Sequence, residues 1–384
     1  MGTPRDYLPA PIPDDAINQL LLSIRLPKAS SIVLPKVTAQ YHSIYVVTLP
    51  ENEKTVHPKL VLRVSGKHLP RIKTENEVAV LTWVKQHTSI PVPDLVAYDS
   101  CGANAIGHEY SLVSLVEGVT LSGHYYALNN VQLDNILDQL LVEYLGQLHA
   151  HSWNAIGGLH TNDDGTILVD RLVDETFWQA PDADKFWPER ETVDSLNLGG
   201  PYSTYIDLIT GQMRTYIHLI QAHDSLAVMR DAIPRLEAFV NVLPQHADEL
   251  NNVKLRLAHK DLHFANIMYD FKSESIASVL DWEFSGVVPF TQWNPRRSFL
   301  WNGQDDEASG AEKNRLYDLF EARIAKCGLP ILDDASYSSP LQESMQKVVD
   351  FLRAITEVAS RSQRAELVEC WKQVVLDNIA GFGV

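Results

Sequence analysis

The sequence predicts an α+β fold in two lobes, a small strand-rich N-lobe followed by a large helical C-lobe. Three observations carry this. Runs of β-branched and aliphatic residues, SIYVVTL at 43–49 and KLVLRV at 59–64, sit near the start of the chain. A wide stripe of Leu133, Ile136, Leu137, Leu140, Leu141, Tyr144, Leu145 and Leu148 then sets a helical period. Helical spacing returns over 203–250 and again from about 312. With 384 residues, 45% of them hydrophobic, the chain is long enough to bury more than one core.

Taken in order, residues 1–30 read as an arm that holds Pro4, Pro9, Pro11 and Pro13 and then one short helix over 14–26. Residues 31–113 read as an antiparallel sheet plus one helix. The two strand runs are joined by PENEKTVHP, whose Pro and Asn residues turn the chain. The helix is expected over 73–87, where Val80, Leu81, Val84 and also Glu77 share a face. Pro91 and Pro93 end it. EYSLVSLV at 109–116 is another apolar strand, and Gly118 signals a chain reversal. Beyond it, 133–148 is a core helix, 152–200 is irregular, and LRLAHKDL and SIASVLDW are short strands around a loop. A cleft between the lobes is the natural place for a site.

Composition narrows the function. The formal charge is −17, from 32 basic and 49 acidic residues. That argues against a nucleic-acid binder, which needs clustered Lys and Arg to displace phosphate counterions. It suits a neutral or cationic substrate, and its commonest meaning is solubility. Cys101, Cys327 and Cys370 are scattered and form no metal or disulfide pattern, which fits a reducing compartment. The N-terminus shows no apolar signal core, and Asp6 stands where a myristoylation signal wants Ser or Thr. No apolar run of about 18 residues occurs. The expectation is a cytoplasmic protein with no membrane and no protein partner implied.

The chemistry lies in His259-Lys260-Asp261-Leu262-His263-Phe264-Ala265-Asn266, followed fifteen residues later by Asp281 at the end of an apolar strand in LDWEF. Phosphoryl transfer explains this spacing. One carboxylate must stand beside the attacking hydroxyl, and an amide and a second carboxylate must hold Mg²⁺ on the phosphates. A zinc or iron site built on His259, Asp261 and His263 would need a further ligand and would leave Asn266 and Asp281 unexplained. His149 and His151, two apart at a helix end, do not share a helix face. Trp282, Trp293 and Trp301 are either core residues or the lining of a substrate pocket.

HKDLHFANIM followed by LDWE resembles the aminoglycoside phosphotransferase and choline kinase-like family, relatives of the protein kinases. The resemblance extends to EVAVLTWVKQHTSIPVP, similar to the family's N-lobe helix, to SLVSLVEGVTL, similar to its hinge strand, and to LGQLHAHSWNAIGGL before the catalytic region. It implies a protein kinase-like fold with a hinge at 114–118 and a C-lobe from 119 to 384. It implies Asp261 as catalytic base, Asn266 and Asp281 as Mg²⁺ ligands, and His259 as a brace for the loop. Glu77, favoured over Glu75, would pair with a cation on the neighbouring strand. Main-chain groups of Ser114, Leu115 and Val116 would meet the base of ATP or GTP. The reaction implied is phosphorylation of a small-molecule hydroxyl, on an acceptor that the resemblance leaves open among aminoglycosides, choline-like alcohols, sugars, homoserine and secondary metabolites. Two departures stand out. Arg63 occupies the position of the phosphate-binding Lys, and Arg forks where Lys is a point charge. The turn Thr38-Ala39-Gln40-Tyr41-His42-Ser43 has no glycine to let backbone N–H groups approach phosphate, so Ser43 takes that role in this reading. These departures also support an alternative, a kinase-like nucleotide-binding or scaffold protein with weak or no turnover.

Overall fold

The computed structural model describes residues 7–35, 39–51, 56–174, 180–293, 306–362 and 364–384. Thr38, Trp301 and residues 52–55 of the first strand connection lie outside these.

The N-terminal sheet holds β1 (Ser31–Val33), β2 (His42–Thr48), β3 (Lys59–Ser65), β4 (Leu95–Asp99) and β5 (Tyr110–Ser114), in the order β1-β2-β3-β5-β4. Every neighbouring pair is antiparallel. The alternation in KLVLRV explains β3: Leu60, Leu62 and Val64 are buried on one face. They meet Ile17, Leu20 and Leu21 from α1 (Asp14–Ser23). The short helix of the N-terminal segment is thus packed on the sheet as part of its core. β4 was not anticipated, because its five residues follow directly on two prolines that carry the stronger signal.

Between β3 and β4 runs α2 (Ile72–His87). It is buried on more than one side, which is why its polar residues Lys73, Thr74, Asn76 and Glu77 are buried along with Val78, Val80 and Val84. Val80, Trp83 and Val84 join a core with Leu137, Leu141, Leu257 and Tyr269 of the second lobe. The helix therefore belongs energetically to both lobes.

The C-lobe starts with Gly118, whose φ of +128° and close approach to the Tyr269 carbonyl exclude a side chain. It leads into β6 (Val119–Thr120). The expected 133–148 helix is a continuous run made of α3 (Asn130–Asp138), a π-helical segment Gln139–Leu145 and α4 (Gly146–Ala150). The region 152–200, expected to be irregular, contains a hairpin of β7 (Gly158–Thr161) and β8 (Ile167–Asp170). Its four-residue strands are too short to stand out by period. β9 (Leu255–Ala258), β10 (Ile267–Asp270), β11 (Ser275–Val279) and β12 (Gly286–Pro289) frame the catalytic segment: β10 pairs with β6 and β11, and β9 with β12. A second helical core is built from α5 (Tyr205–Ala222), α7 (Pro340–Ser360) and α8 (Ala365–Ala380), with α6 (Glu307–Cys327) packed on the first. Caps set the helix starts: Thr204, Asp306 and Ser339 each accept from a backbone N–H three residues on. The whole is a protein kinase-like two-lobe fold. Among the described residues no helix is long and apolar enough to cross a membrane.

One side chain joins the lobes at the site. Asn76 Nδ2 donates to the carbonyls of Glu283 and Ser285, each at 2.9 Å, and its Oδ1 accepts from the Leu159 N–H at 2.6 Å. Asn76→Ala would orphan three buried backbone groups. We expect it to destabilise the protein by about 3 kcal/mol, read as a lower urea midpoint. A midpoint within error of the parent would show that water or rearrangement satisfies these groups.

Candidate active site

The catalytic segment is held from beneath by His259. Its ring is fully buried, and its Nε2–H donates to the Leu280 carbonyl at 2.7 Å, immediately before Asp281. Its edge rests on Trp282, 4.4 Å between ring centres. Burial holds this imidazole below its ordinary pKa, which suits a neutral brace. A main-chain bond from Leu280 N–H to the Asn266 carbonyl, 2.8 Å, closes the two loops on each other.

Asp261 and Asn266 meet directly. Asn266 Nδ2 donates to the Asp261 carbonyl at 2.9 Å and to its Oδ2 at 3.1 Å, while His263 Nε2 lies 3.4 Å from Oδ1. Burial works to raise the Asp261 carboxyl. The bonds from His263 and Asn266, with the nearby imidazoles, outweigh it and keep the group ionised below its usual range. With Nδ2 so engaged, Oδ1 is the side-chain atom of Asn266 left to ligate a metal.

Asp281 takes a left-handed backbone conformation, φ +68°, rare outside Gly and tolerated best by Asp and Asn. Its Oδ1 lies 3.0 Å from Arg63 Nη2, and the same nitrogen lies 3.0 Å from Glu77 Oε1. Burial opposes the Arg63 charge, but the carboxylates of Glu77, Asp281 and Glu283 prevail and raise its pKa. Glu75 is directed elsewhere, accepting from Ser100 Oγ at 2.8 Å.

Behind Arg63 lies a buried cluster that sequence reasoning missed. Lys73 Nζ donates to Glu283 Oε2 at 2.9 Å and lies 3.1 Å from His42 Nε2. Burial, with Lys73 and Arg63 beside it, holds His42 neutral. Its Nε2 therefore accepts from Lys73, and its Nδ1–H faces Glu283 Oε2 at 3.3 Å. Burial, with Asp281 and Glu77 nearby, raises the Glu283 carboxyl against the pull of Lys73 and Arg63. The signals were present but faint: Lys73 stands one helical turn before Glu77, and Glu283 closes LDWE. Ser43 lies in β2 opposite Val64 and takes no part in this cluster.

The hinge segment is partly committed. Ser114 N–H donates to the Asp94 carbonyl at 2.8 Å and Leu115 N–H to the Lys59 carbonyl at 3.0 Å. Of the N–H groups in the segment expected to meet a nucleotide base, that of Val116 makes no main-chain bond among the described residues.

On the other side of Asp261 opens a cavity of about 300 Å³. Phe284, Val288 and Trp293 line it with Lys260, and α5 and α7 close it with Gln212, Tyr216, Gln346, Val349, Asp350 and Arg353. Trp282, by contrast, is core. Trp293 Nε1 and Gln212 Oε1 are buried without a hydrogen-bond partner among the described residues. His149 lies 2.9 Å from Asp334 and His151 packs edge-on to Trp83, so the two serve different contacts. Among the described residues no three His, Cys, Asp or Glu gather as a metal cage. Two oxygen ligands without such a cage fit Mg²⁺, which is held largely by the phosphates it accompanies.

A model of the phosphotransferase enzyme family, APH, matches residues 42–292. The chain is 23% identical over 258 residues to a subtelomeric hrmA-associated cluster protein of Aspergillus fumigatus, across 56% of this chain and 50% of that one. It is 26% identical over 235 residues to clavilactone A biosynthesis cluster protein Y of Ampulloclitocybe clavipes, with the same coverage. The chain thus spans about half the length of the curated relatives it matches. Among solved structures it is similar to ADP-bound aminoglycoside phosphotransferase APH(2'')-Ib, at 13% identity over 96% of this chain and 98% of that one, with a TM-score of 0.49.

The buried ring of His68 gives a test of the local electrostatics. It packs beside Tyr41 and Phe284, and burial with nearby Lys73 holds it down to about 3. The unfolded chain binds this proton near pH 6.5 and the folded chain does not, so stability falls as pH drops below 6.5. By pH 5 the loss from this ring is about 2 kcal/mol. His68→Phe should flatten the fall in urea midpoint between pH 7.5 and 5 by that amount. Equal slopes in both proteins would count against a neutral buried ring.

Proposed function

This chain belongs to the phosphotransferase enzyme family, and on that premise we propose that it transfers the γ-phosphoryl group of ATP or GTP to a hydroxyl of a small molecule. The observation that carries the reading is the position of Asp261. Its carboxylate borders a cavity of small-molecule size on one side and is bonded on the other to Asn266, a second member of the phosphoryl-transfer set.

In this mechanism the acceptor hydroxyl donates to the ionised Asp261 carboxylate. As its oxygen bonds to the γ-phosphorus, the bond from that phosphorus to the bridging oxygen breaks, the nucleoside diphosphate leaves, and the hydroxyl proton passes to Asp261. Positioning and charge neutralisation do most of the catalysis. Arg63, permanently charged and held by Glu77 and Asp281, faces the phosphates as the family's Lys would. Asn266 and Asp281 would hold Mg²⁺, which supplies charge neutralisation across the phosphate oxygens when bound. The Val116 N–H is the group left to meet the base. The same reading places the reaction in the cytoplasm, where ATP and GTP are abundant.

The alternative of a nucleotide binder without turnover draws on the committed state of Arg63, whose Nη2 already serves two carboxylates. Two experiments separate the readings. Asp261→Asn should lower transfer by about 10²–10⁴-fold and leave nucleotide affinity within about twofold; near-parental turnover would remove Asp261 from the reaction. Titrating ATP and GTP with and without Mg²⁺ should raise the thermal midpoint in a Mg²⁺-dependent way by mass action. In Asp281→Ala that dependence should vanish. No shift at millimolar nucleotide in the parent protein would make the scaffold reading the better one.

A further inference from the structure

The walls of the cavity beside Asp261 constrain what kind of alcohol enters it. Asp174, Asp261 and Asp350 are its carboxylates, and Lys260 and Arg353 its cations. Each carboxylate already has a partner. Asp174 lies 3.0 Å from Lys260 Nζ, Asp350 Oδ1 accepts from Gln346 Nε2 at 2.7 Å, and Asp261 is held by Asn266 and His263. Among these polar groups stand apolar side chains: Phe284, Val288 and Trp293 from the segment after Asp281, Leu208 and Val349 from α5 and α7. A smaller hollow of about 50 Å³ adjoins the cavity through Asp174, Gln212, Tyr216 and Arg353, so the space extends away from Asp261.

We infer that the acceptor is an uncharged alcohol on an apolar or aromatic frame, carrying at least one further oxygen, and not a polyamine. The inference rests on the phosphotransferase reading of the same site. A polyamine brings several ammonium groups into a cavity where the carboxylates are already engaged, and burying an ammonium without a carboxylate partner is unfavourable. Of the polar atoms without a partner among the described residues, Trp293 Nε1–H needs an oxygen, which an ammonium group does not offer, and Gln212 Oε1 needs a donor. A frame with a hydroxyl and a second oxygen satisfies both and covers the apolar wall.

The test uses the full chain with Mg²⁺ and saturating ATP or GTP, reading nucleoside diphosphate release. Probes are phenyl and 4-methylumbelliferyl β-glucosides as neutral aromatic alcohols, and kanamycin and hygromycin B as polyamines. We expect kcat/KM at least tenfold higher for the neutral probes. Val349→Asp, which adds a carboxylate to the apolar wall, should raise their KM at least tenfold and leave the nucleotide KM unchanged. Because Val349 is buried, the comparison of probes on the parent protein stands on its own. Equal or better use of kanamycin or hygromycin B overturns the inference. So does absence of transfer to either class while the Mg²⁺-dependent nucleotide shift persists. Loss of that shift in the parent protein instead overturns the underlying phosphotransferase reading.

Discussion

A single nitrogen, Arg63 Nη2, stands 3.0 Å from Glu77 on α2 and 3.0 Å from Asp281 beyond β11. Three segments far apart in the chain depend on this contact: the central strand of the N-lobe, the helix behind it and the loop that carries a proposed metal ligand. Removing Arg63 would leave the buried Glu77 carboxylate without its cation, which costs about 3–5 kcal/mol. In the proposed reaction the same guanidinium supplies the permanent positive charge that the phosphates need.

Around that contact the protein has added a buried polar cluster. Lys73 and Glu283 form a pair that reaches from α2 to the LDWE loop, and the neutral ring of His42 closes it from β2. Asn76 then fastens the same loop by its carbonyls and ties it to β7. Such polar groups are stable only because each finds a partner; any left unpaired at this depth would be expensive. The result holds Asp281 in a backbone conformation that an isolated Asp seldom adopts. The glycine-free start of β2 has a physical role in this frame, since His42 uses its side chain where a glycine would offer only backbone.

The two sides of Asp261 differ in chemistry. Toward the N-lobe the groups are ionic: Arg63, Glu77, Asp281 and the Lys73–Glu283 pair. Toward α5 and α7 the lining mixes apolar side chains with polar groups of nearly balanced charge. A phosphoryl donor is highly charged and an organic acceptor need not be, so this division suits a site that binds one of each. Chemistry common to a family and recognition peculiar to one member then come from different elements: the catalytic loop on one hand, and helices remote in sequence on the other.

The two-lobe layout and the residues of the proposed catalytic set were legible in the chain alone, because both are written locally. Period reveals β3 and α2, and the spacing from His259 through Asn266 to Asp281 is a continuous word. Glu77 was separable from Glu75 by the apolar face it shares. Short strands such as β4, β7 and β8 were not legible, since four or five residues give no period. The cluster of His42, Lys73, Asn76 and Glu283 was not legible either, nor the cavity formed by Phe284, Trp293, Gln212 and Val349. Each of these residues is ordinary in its own segment and gains meaning only from partners up to about two hundred positions away. Local sequence determined the chemical groups this protein carries; tertiary packing decided which are buried, which are paired and which face a ligand, because desolvation and hydrogen bonding depend on neighbours in space.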